Sequence, residues 1–425
     1  MLTVRSVSQG QTKLMEVKGK MLTRVGVPVA SEAEPSAPEQ EPTTLICFSH
    51  LRWNFVFQRP QHLMSRFARD VSVIFWEEPV TIGPRETAYL QVREATDAPN
   101  VRVAVPHLPE GMPEDAREAA LSRLLDAHVA SNRGPLIAWY YTPMMLPFSR
   151  HIDFDVTVYD AMDELSKFKF APAKLIENEA ELLMRADVVF TGGSSLYEAK
   201  KDRHDNVHCF PSSVDRAHFF KARAELFDPA DQEDLPRPRL GFYGVIDERF
   251  DIELLDRVAE MRPNWSFVMV GPVVKISEED LPKRPNIHYL GSKTYEQLPF
   301  YLSGWDVALM PFAMNESTQF ISPTKTPEYL AGGKPVVSTP IKDVVRHYGQ
   351  LEGVKIASTP DEFVEACEAA LELSRNPEGG WLAEADLMLS ATSWDTTQGR
   401  MAGLIHDLLG LRTGANSSAI LVAAE

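Results

Sequence analysis

The chain has 425 residues, 60 Asp and Glu against 43 Lys and Arg, a net charge of −17, and 44% hydrophobic residues. That length favours two domains of ordinary size, each able to bury its own core. The acidic balance excludes general nucleic-acid binding, which needs a basic footprint, and leaves room only for a local basic patch at a membrane surface. No window approaches ~18 uninterrupted apolar residues, so no transmembrane helix is predicted, and the N-terminus lacks an apolar signal core. Cys47, Cys209 and Cys367 match no zinc or redox spacing and read as buried, reduced thiols of a cytoplasmic protein.

Residues 1–42 are poor in large apolar groups and rich in Pro, Glu, Ala and Ser towards their end, which predicts a disordered leader. A buried strand is expected at 45–48, a helix at 60–69 and a second strand at 71–76. Strand, loop, helix and strand in that order open a doubly wound sheet, whose ligands sit beyond the carboxyl ends of its strands. The loop after the first strand carries His50, Arg52, Trp53, Gln58 and Arg59, which makes these residues candidates for a cleft. The plainer reading is a packed loop with a capping Arg.

Further strands are expected at 101–105, 136–141, 154–159, 187–191 and 207–210, with helices at 114–132 and 173–186 and another from Ser194. Asp160 and Asp163 follow the 154–159 strand. Either carboxylate suits a general base that takes a proton from a hydroxyl, and either equally suits a helix cap. Asp153-Phe-Asp155 has the spacing of a metal-binding pair but precedes its strand, so it reads as ordinary strand-start sequence. Ser194 and Ser195 read as helix caps or as ligand donors.

Residues 221–238 are charged, end in Pro-Arg-Pro-Arg, and read as a linker. The strand pattern then restarts at 240–243, 266–270, 287–290, 307–311, 336–337 and 354–357. Gly244 opens a loop that offers Arg249 to an anionic ligand, or pairs it with Asp247, Glu248 or Asp251. Gly271 opens a turn beyond the next strand. Asn315, Glu316, Ser317, Thr318 and Gln319 supply polar groups for a sugar.

The densest stretch is 321–340. Ser322 suits a helix cap, Pro323 the first turn, and Gly332 and Gly333 a left-handed stop. Lys325 falls in the first turn, where unpaired N–H groups favour a phosphate. Glu328 lies a turn further in, where a carboxylate accepts two hydrogen bonds from vicinal hydroxyls. One short element thus suits a diphosphate and a ribose together. Beyond it, a helix is expected at 360–373, a last helix from Ser393 to 411, and a disordered tail at 412–425.

Glu328-Tyr-Leu-Ala-Gly-Gly-Lys-Pro-Val-Val resembles the nucleotide-sugar segment of GT-B glycosyltransferases of the family 4, or group 1, type. In that family a Glu five residues before Gly-x-Pro-Val-Val binds the donor ribose, and Glu328 holds that place. A second Glu, usual eight residues earlier, is replaced by Phe320. The Pro-x-Lys-x-x-Glu-Tyr-Leu-Ala variant resembles the xanthan glucuronosyltransferase branch. Phe55-Val-Phe-Gln-Arg-Pro-Gln-His62 resembles the first loop of bacterial GT-B transferases, and 211–219 their interdomain crossover.

The resemblance implies an α/β GT-B fold of two Rossmann-like domains facing across a cleft. Residues 43–220 would bind the acceptor, 239–385 the nucleotide sugar, and 386–411 would cross back to the first domain. It implies a glycosyltransferase with a nucleotide-diphospho sugar, expected to be UDP-linked, and a glycan or lipid-linked acceptor as partners. Donor-side residues would be Gly244, Arg249, Gly271, Ser322, Thr324, Lys325 and Glu328. The base would be Asp160, Asp163 or His50, and the acceptor side would hold Trp53, Gln58 and Arg59. No cofactor and no metal are expected, because Arg249 and Lys325 would meet the charge of the leaving nucleoside diphosphate. The rivals are an epimerase or phosphorylase of the same fold and a non-catalytic sugar-nucleotide binder.

Overall fold

The computed structural model describes residues 41–168, 171–224 and 226–422. Most of the expected leader (1–40) and the end of the expected tail (423–425) lie outside the described residues.

The first sheet comprises β1 (Thr44–Ser49), β2 (Ser72–Glu77), β3 (Val80–Ile82), β4 (Tyr89–Glu94), β5 (Val101–Pro109), β6 (Leu136–Tyr140), β7 (Val156–Ala161), β8 (Val188–Thr191) and β9 (Val207–Cys209). Their order is β3-β5-β2-β1-β6-β7-β8-β9, parallel except for β4, which pairs antiparallel with β5. Side chains alternate across a strand, and β1 shows the consequence. Leu45 and Cys47 enter one core with Trp394, Met401 and Ile405 of the last helix, while Ile46 and Phe48 enter the core on the other face. A parallel sheet covered on both faces needs such continuous apolar strands. The short strands β3 and β4 were not expected. Val80, Tyr89 and Val92 are exposed, so no buried run marks them.

The second sheet comprises β10 (Arg239–Tyr243), β11 (Ser266–Val270), β12 (Ile287–Gly291), β13 (Val307–Met310), β14 (Val336–Ser338) and β15 (Val354–Ile356). Its order is β12-β11-β10-β13-β14-β15, all parallel. In each sheet the strand order reverses beside the first strand, at β1/β6 and at β10/β13. A crevice opens beyond the carboxyl ends at such a switch point.

The segment expected as a linker is pinned to the second sheet. Gln232 is fully buried, accepts from the Trp305 indole at 2.8 Å and donates to the Tyr301 carbonyl at 3.1 Å. The last helix, Trp394–Val422, runs beyond the expected end at 411. No proline stops it, and Ala415, Ala419 and Leu421 favour helix. It packs on the Arg59–Phe67 helix, where Trp394 stacks on His62 at 4.7 Å. No helix of the described residues is long and apolar enough to cross a membrane.

Candidate active site

An open cavity, about 1210 Å³ with its solvent-filled mouth included, is lined from the first half by Phe55, Val56, Phe57, Gln58, Arg59, Met162, Asp163 and Ser212. The second half contributes Tyr243, Gly244, Arg249, Gly271, Tyr295, Ser322, Thr324, Lys325 and Glu328, among others. Loops from the carboxyl ends of β1, β7, β10, β11, β12 and β13 therefore meet in one place.

The helix in the central stretch is Lys325–Ala331, two residues later than a Ser322 cap would place it. Thr324 is its N-cap residue, and its side chain makes no capping bond. Ser322 instead packs against Gly193 of the first half, where an added Cβ would come within 2.6 Å of its own Cβ. Gly333, at φ +74°, supplies the left-handed stop, while Gly332 keeps a negative φ.

Glu328 is buried, and its Oε2 accepts from the Tyr243 hydroxyl at 2.9 Å. Burial raises the Glu328 carboxyl to about 7 against the opposing pull of Lys325. Burial likewise lowers the Lys325 ammonium, with Glu328 opposing. Two glycines make the close approach around that lysine. Gly244, at φ +142°, lies where any Cβ would strike the Lys325 side chain. Gly271, at φ +140°, lies against the Gly244 carbonyl.

Arg249 is both things the sequence left open. Asp247 holds its guanidinium, with Nη2–Oδ2 at 2.7 Å, and its backbone N–H, at 3.0 Å, yet the residue still lines the cavity. The Arg249 Cζ lies 5.3 Å from the Phe168 ring, which also carries Lys275 Nζ at 4.7 Å. Asp163 lies two residues beyond the end of β7. Burial raises its pKa, while Arg249, Lys275 and Lys325 pull it down.

Burial sets each of these groups first, and their charges then act on one another: Lys325 opposes the rise of Glu328, and Glu328 opposes the fall of Lys325.

Several candidates are engaged in the fold, Asp160, Trp53 and His50 off the cavity wall and Gln58 and Arg59 on it. Asp160 lies inside β7, fully buried, with both oxygens taken by Arg59 at 3.0 and 2.8 Å, and it does not line the cavity. Arg59 is correspondingly spent, since its remaining nitrogen donates to the Phe210 carbonyl at 2.8 Å. Trp53 belongs to the first core, with its indole donating to Asp97 at 2.8 Å and its ring edge-on to Phe75. Gln58 lines the cavity and precedes the Arg59–Phe67 helix, with its N–H donating to Gln61 at 3.1 Å. His50 stays outside the cavity lining, and burial, then Lys275, lowers its ring pKa to about 4. Asn315 accepts from Ser317 and Thr318, so these polar groups satisfy one another. Asp155 accepts the Leu136 N–H at 2.7 Å, a strand contact.

Ser194 and Ser195 bind the second half of the chain. The Ser195 N–H and hydroxyl donate to Asp343 Oδ1 at 3.0 and 2.6 Å, and Ser194 Oγ lies 2.9 Å from His347 Nε2. The Cys209 thiol is 3.9 Å from that Ser194 hydroxyl. Sequence reasoning did not single out Tyr243 or Phe57, whereas Asp247 was one of the partners it offered Arg249. For Tyr243 a signal existed: it ends β10 immediately before the glycine of the donor-side loop.

Residues 237–373 match the glycosyl transferases group 1 family. A putative teichuronic acid biosynthesis glycosyltransferase from Bacillus subtilis, TuaH, is 27% identical over 277 residues, 59% of this chain and 68% of that protein. Among solved structures, sucrose-phosphate synthase from Thermosynechococcus elongatus superposes with a TM-score of 0.63 at 17% identity, covering 87% of this chain and all of that one. Anabaena HepE in complex with UDP and glucose gives 0.57 at 13%, covering 86% and 100%. A UDP-forming trehalose-phosphate synthase from Burkholderia xenovorans gives 0.59 at 11%, covering 86% and 99%. At these identities the structural likeness shows the fold alone.

Proposed function

We propose that the chain is a glycosyltransferase that moves a sugar from a UDP-linked donor to a hydroxyl of a glycan or lipid-linked acceptor, a reading supported by the group 1 match over 237–373, the similarity to TuaH and the GT-B fold. The observation that carries this reading is that Asp163 of the first half shares one cavity with Arg249, Lys325 and Glu328 of the second. The charged residues that line that cavity suit the parts of such a donor: ribose at Glu328, diphosphate at Lys325 and Arg249, reacting sugar towards Asp163. UDP in the HepE complex supports the choice of nucleotide.

In the step we envisage, the acceptor hydroxyl gives its proton to Asp163 and its oxygen bonds to the anomeric carbon. The bond from that carbon to the diphosphate oxygen breaks, and UDP leaves with the electron pair. A carboxyl raised by burial is a better base than an exposed one. Lys325 and Arg249, fixed by Gly244 and Asp247, meet the charge that grows on the leaving group. These cations fill the place a divalent ion would otherwise take, so the reading includes no metal. A lipid-linked acceptor would bring the enzyme to a membrane surface.

Calorimetric titration with UDP tests the donor half. Wild type binds, and Glu328→Ala binds about ten- to a hundredfold more weakly, as expected on losing hydrogen bonds to a charged group. Equal affinity in a folded Glu328→Ala protein would remove Glu328 from the site.

A further inference from the structure

Lys200 ends the Ser194–Lys200 helix of the first half, and its side chain is completely enclosed. An ammonium in such a place costs free energy unless charged partners surround it. Its Nζ donates to Glu179 Oε1 at 2.7 Å and to Glu164 Oε2 at 2.8 Å. Glu179, on the Lys174–Arg185 helix, is buried too. It also accepts from the Tyr159 hydroxyl at 2.8 Å and from Arg203 Nη1 at 2.9 Å. Burial alone would raise the Glu179 carboxyl, and Lys200 leads the groups that hold it below its ordinary value.

Glu164 differs from the rest of this cluster. It lies in the turn between β7 and the one-turn helix Leu165–Lys167, immediately after Asp163. Its second oxygen, Oε1, accepts from the Ser166 hydroxyl at 2.9 Å, so both carboxylate oxygens are engaged. Its backbone is not helical, at φ −86° and ψ 80°. As along a strand, neighbouring side chains here face opposite ways. Asp163 lines the cavity, while Glu164 stays off its wall and turns to Lys200. Only Met162 and Asp163 separate the end of β7 at Ala161 from this anchor. Further on, Phe168 meets Arg249 and Lys275 of the second half. The turn is thus held under the sheet at Glu164 and across the cleft at Phe168.

We infer that Lys200 is a positioning residue for the transfer step: through Glu164 it fixes the turn that aims Asp163 into the cavity. The inference rests on the reading of Asp163 as the base. Lys200 does not line the cavity, so its effect reaches the reacting atoms only through the backbone that Glu164 shares with Asp163. A catalytic group displaced by about 1 Å can cost about a hundredfold in rate. The buried ion pair at the adjoining residue therefore bears on turnover and leaves donor affinity alone.

The test follows UDP release from UDP-glucose, UDP-galactose and UDP-glucuronate, beside calorimetric affinity for UDP. Water stands in for the acceptor, giving its proton to Asp163 and its oxygen to the anomeric carbon as UDP leaves. Lys200→Met strips Glu179 of a partner and risks misfolding. Glu164→Ala therefore carries the test, because it keeps the Lys200–Glu179 pair and removes only the tie to the turn. The inference expects Glu164→Ala to slow UDP release about ten- to a hundredfold, with UDP affinity within about twofold of wild type. It also expects that loss to vanish when Asp163→Asn is already present, since a group acting through Asp163 then has nothing left to position. A merely structural tie would slow release by the same factor in both backgrounds, and that result would overturn the inference. So would a wild-type rate in Glu164→Ala, or an equal loss of UDP affinity. Asp163→Asn alone working at the wild-type rate would instead overturn the reading of Asp163 as the base. A wild type that releases UDP from none of the three sugars would overturn the UDP-sugar reading. The inference falls with either, and running wild type, both single variants and the double variant in parallel tells these failures apart.

Discussion

Arg59 and Asp160 close a bidentate ion pair inside the first domain, Nε to Oδ2 at 3.0 Å and Nη2 to Oδ1 at 2.8 Å, with side chains 3% and 0% exposed. One residue opens the Arg59–Phe67 helix and the other lies within β7. The pair ties those two elements together at the cavity wall. Burial raises the Asp160 carboxyl, and Arg59 opposes that rise. Removing one partner of such a pair leaves a buried charge uncompensated. Asp160→Asn should therefore lose about 3–5 kcal/mol of stability in a denaturant titration. A variant as stable as wild type would mean that the pair is not buried in solution.

Asp163 should behave in the opposite way. Asp163→Asn is expected to keep its stability and its UDP affinity while kcat falls by about 10²–10⁴, the contribution of a positioned base. Turnover near the wild-type rate would exclude Asp163 as the proton acceptor. Taken together, the two substitutions distinguish a structural aspartate from a chemical one three residues away in the chain.

Glu328 makes a pH prediction. Its pKa in the folded protein is raised to about 7 by burial, against an ordinary value near ~4.3 in the unfolded chain. Between those values the folded state binds a proton that the unfolded state has released, so this group's stabilising contribution falls as pH rises. Glu328→Gln lacks the titration. Thermal melts from pH 5 to pH 7.5 should show wild type losing ground to Glu328→Gln. Parallel curves would show that the carboxyl is not raised.

Gly244→Ala tests the seat of Lys325. At φ +142° an alanine is strained, and its Cβ strikes the Lys325 side chain. The lysine must move, so UDP affinity should fall roughly tenfold, about 1.4 kcal/mol. If calorimetry finds no change, Lys325 does not touch the diphosphate.

Turnover should be insensitive to EDTA. Arg249 and Lys325 carry fixed positive charge to the middle of the cavity. A loss of activity on chelation, restored by a divalent ion, would show that these two cations do not suffice.

What the sequence disclosed and what it hid follow from how local each signal is. Lys325 and Glu328 were legible because strand, turn and helix lie within one short stretch, and spacing alone puts both side chains near a strand end. The strands of both sheets were legible for a related reason, since a parallel strand buried on both faces is a continuous apolar run. Asp160 and Asp163 were not separable. The boundary of β7 differs from the expected one by two residues, and that difference decides whether a carboxylate lies within the sheet or beyond it. Trp53 was expected at the cleft and lies in the core, and the ion pair of Arg59 went unforeseen, because their partners, Asp97 and Asp160, are distant in sequence.

The seam at Ser194 also gives the protein a built-in clock. Cys209 is half-buried there, 3.9 Å from the Ser194 hydroxyl, while Cys47 and Cys367 are completely enclosed. A maleimide added to the native enzyme should reach Cys209 first. Because that thiol lies beside the Ser194–His347 contact between the halves, slower labelling under saturating UDP would measure, without any engineered cysteine, how firmly the nucleotide holds that seam.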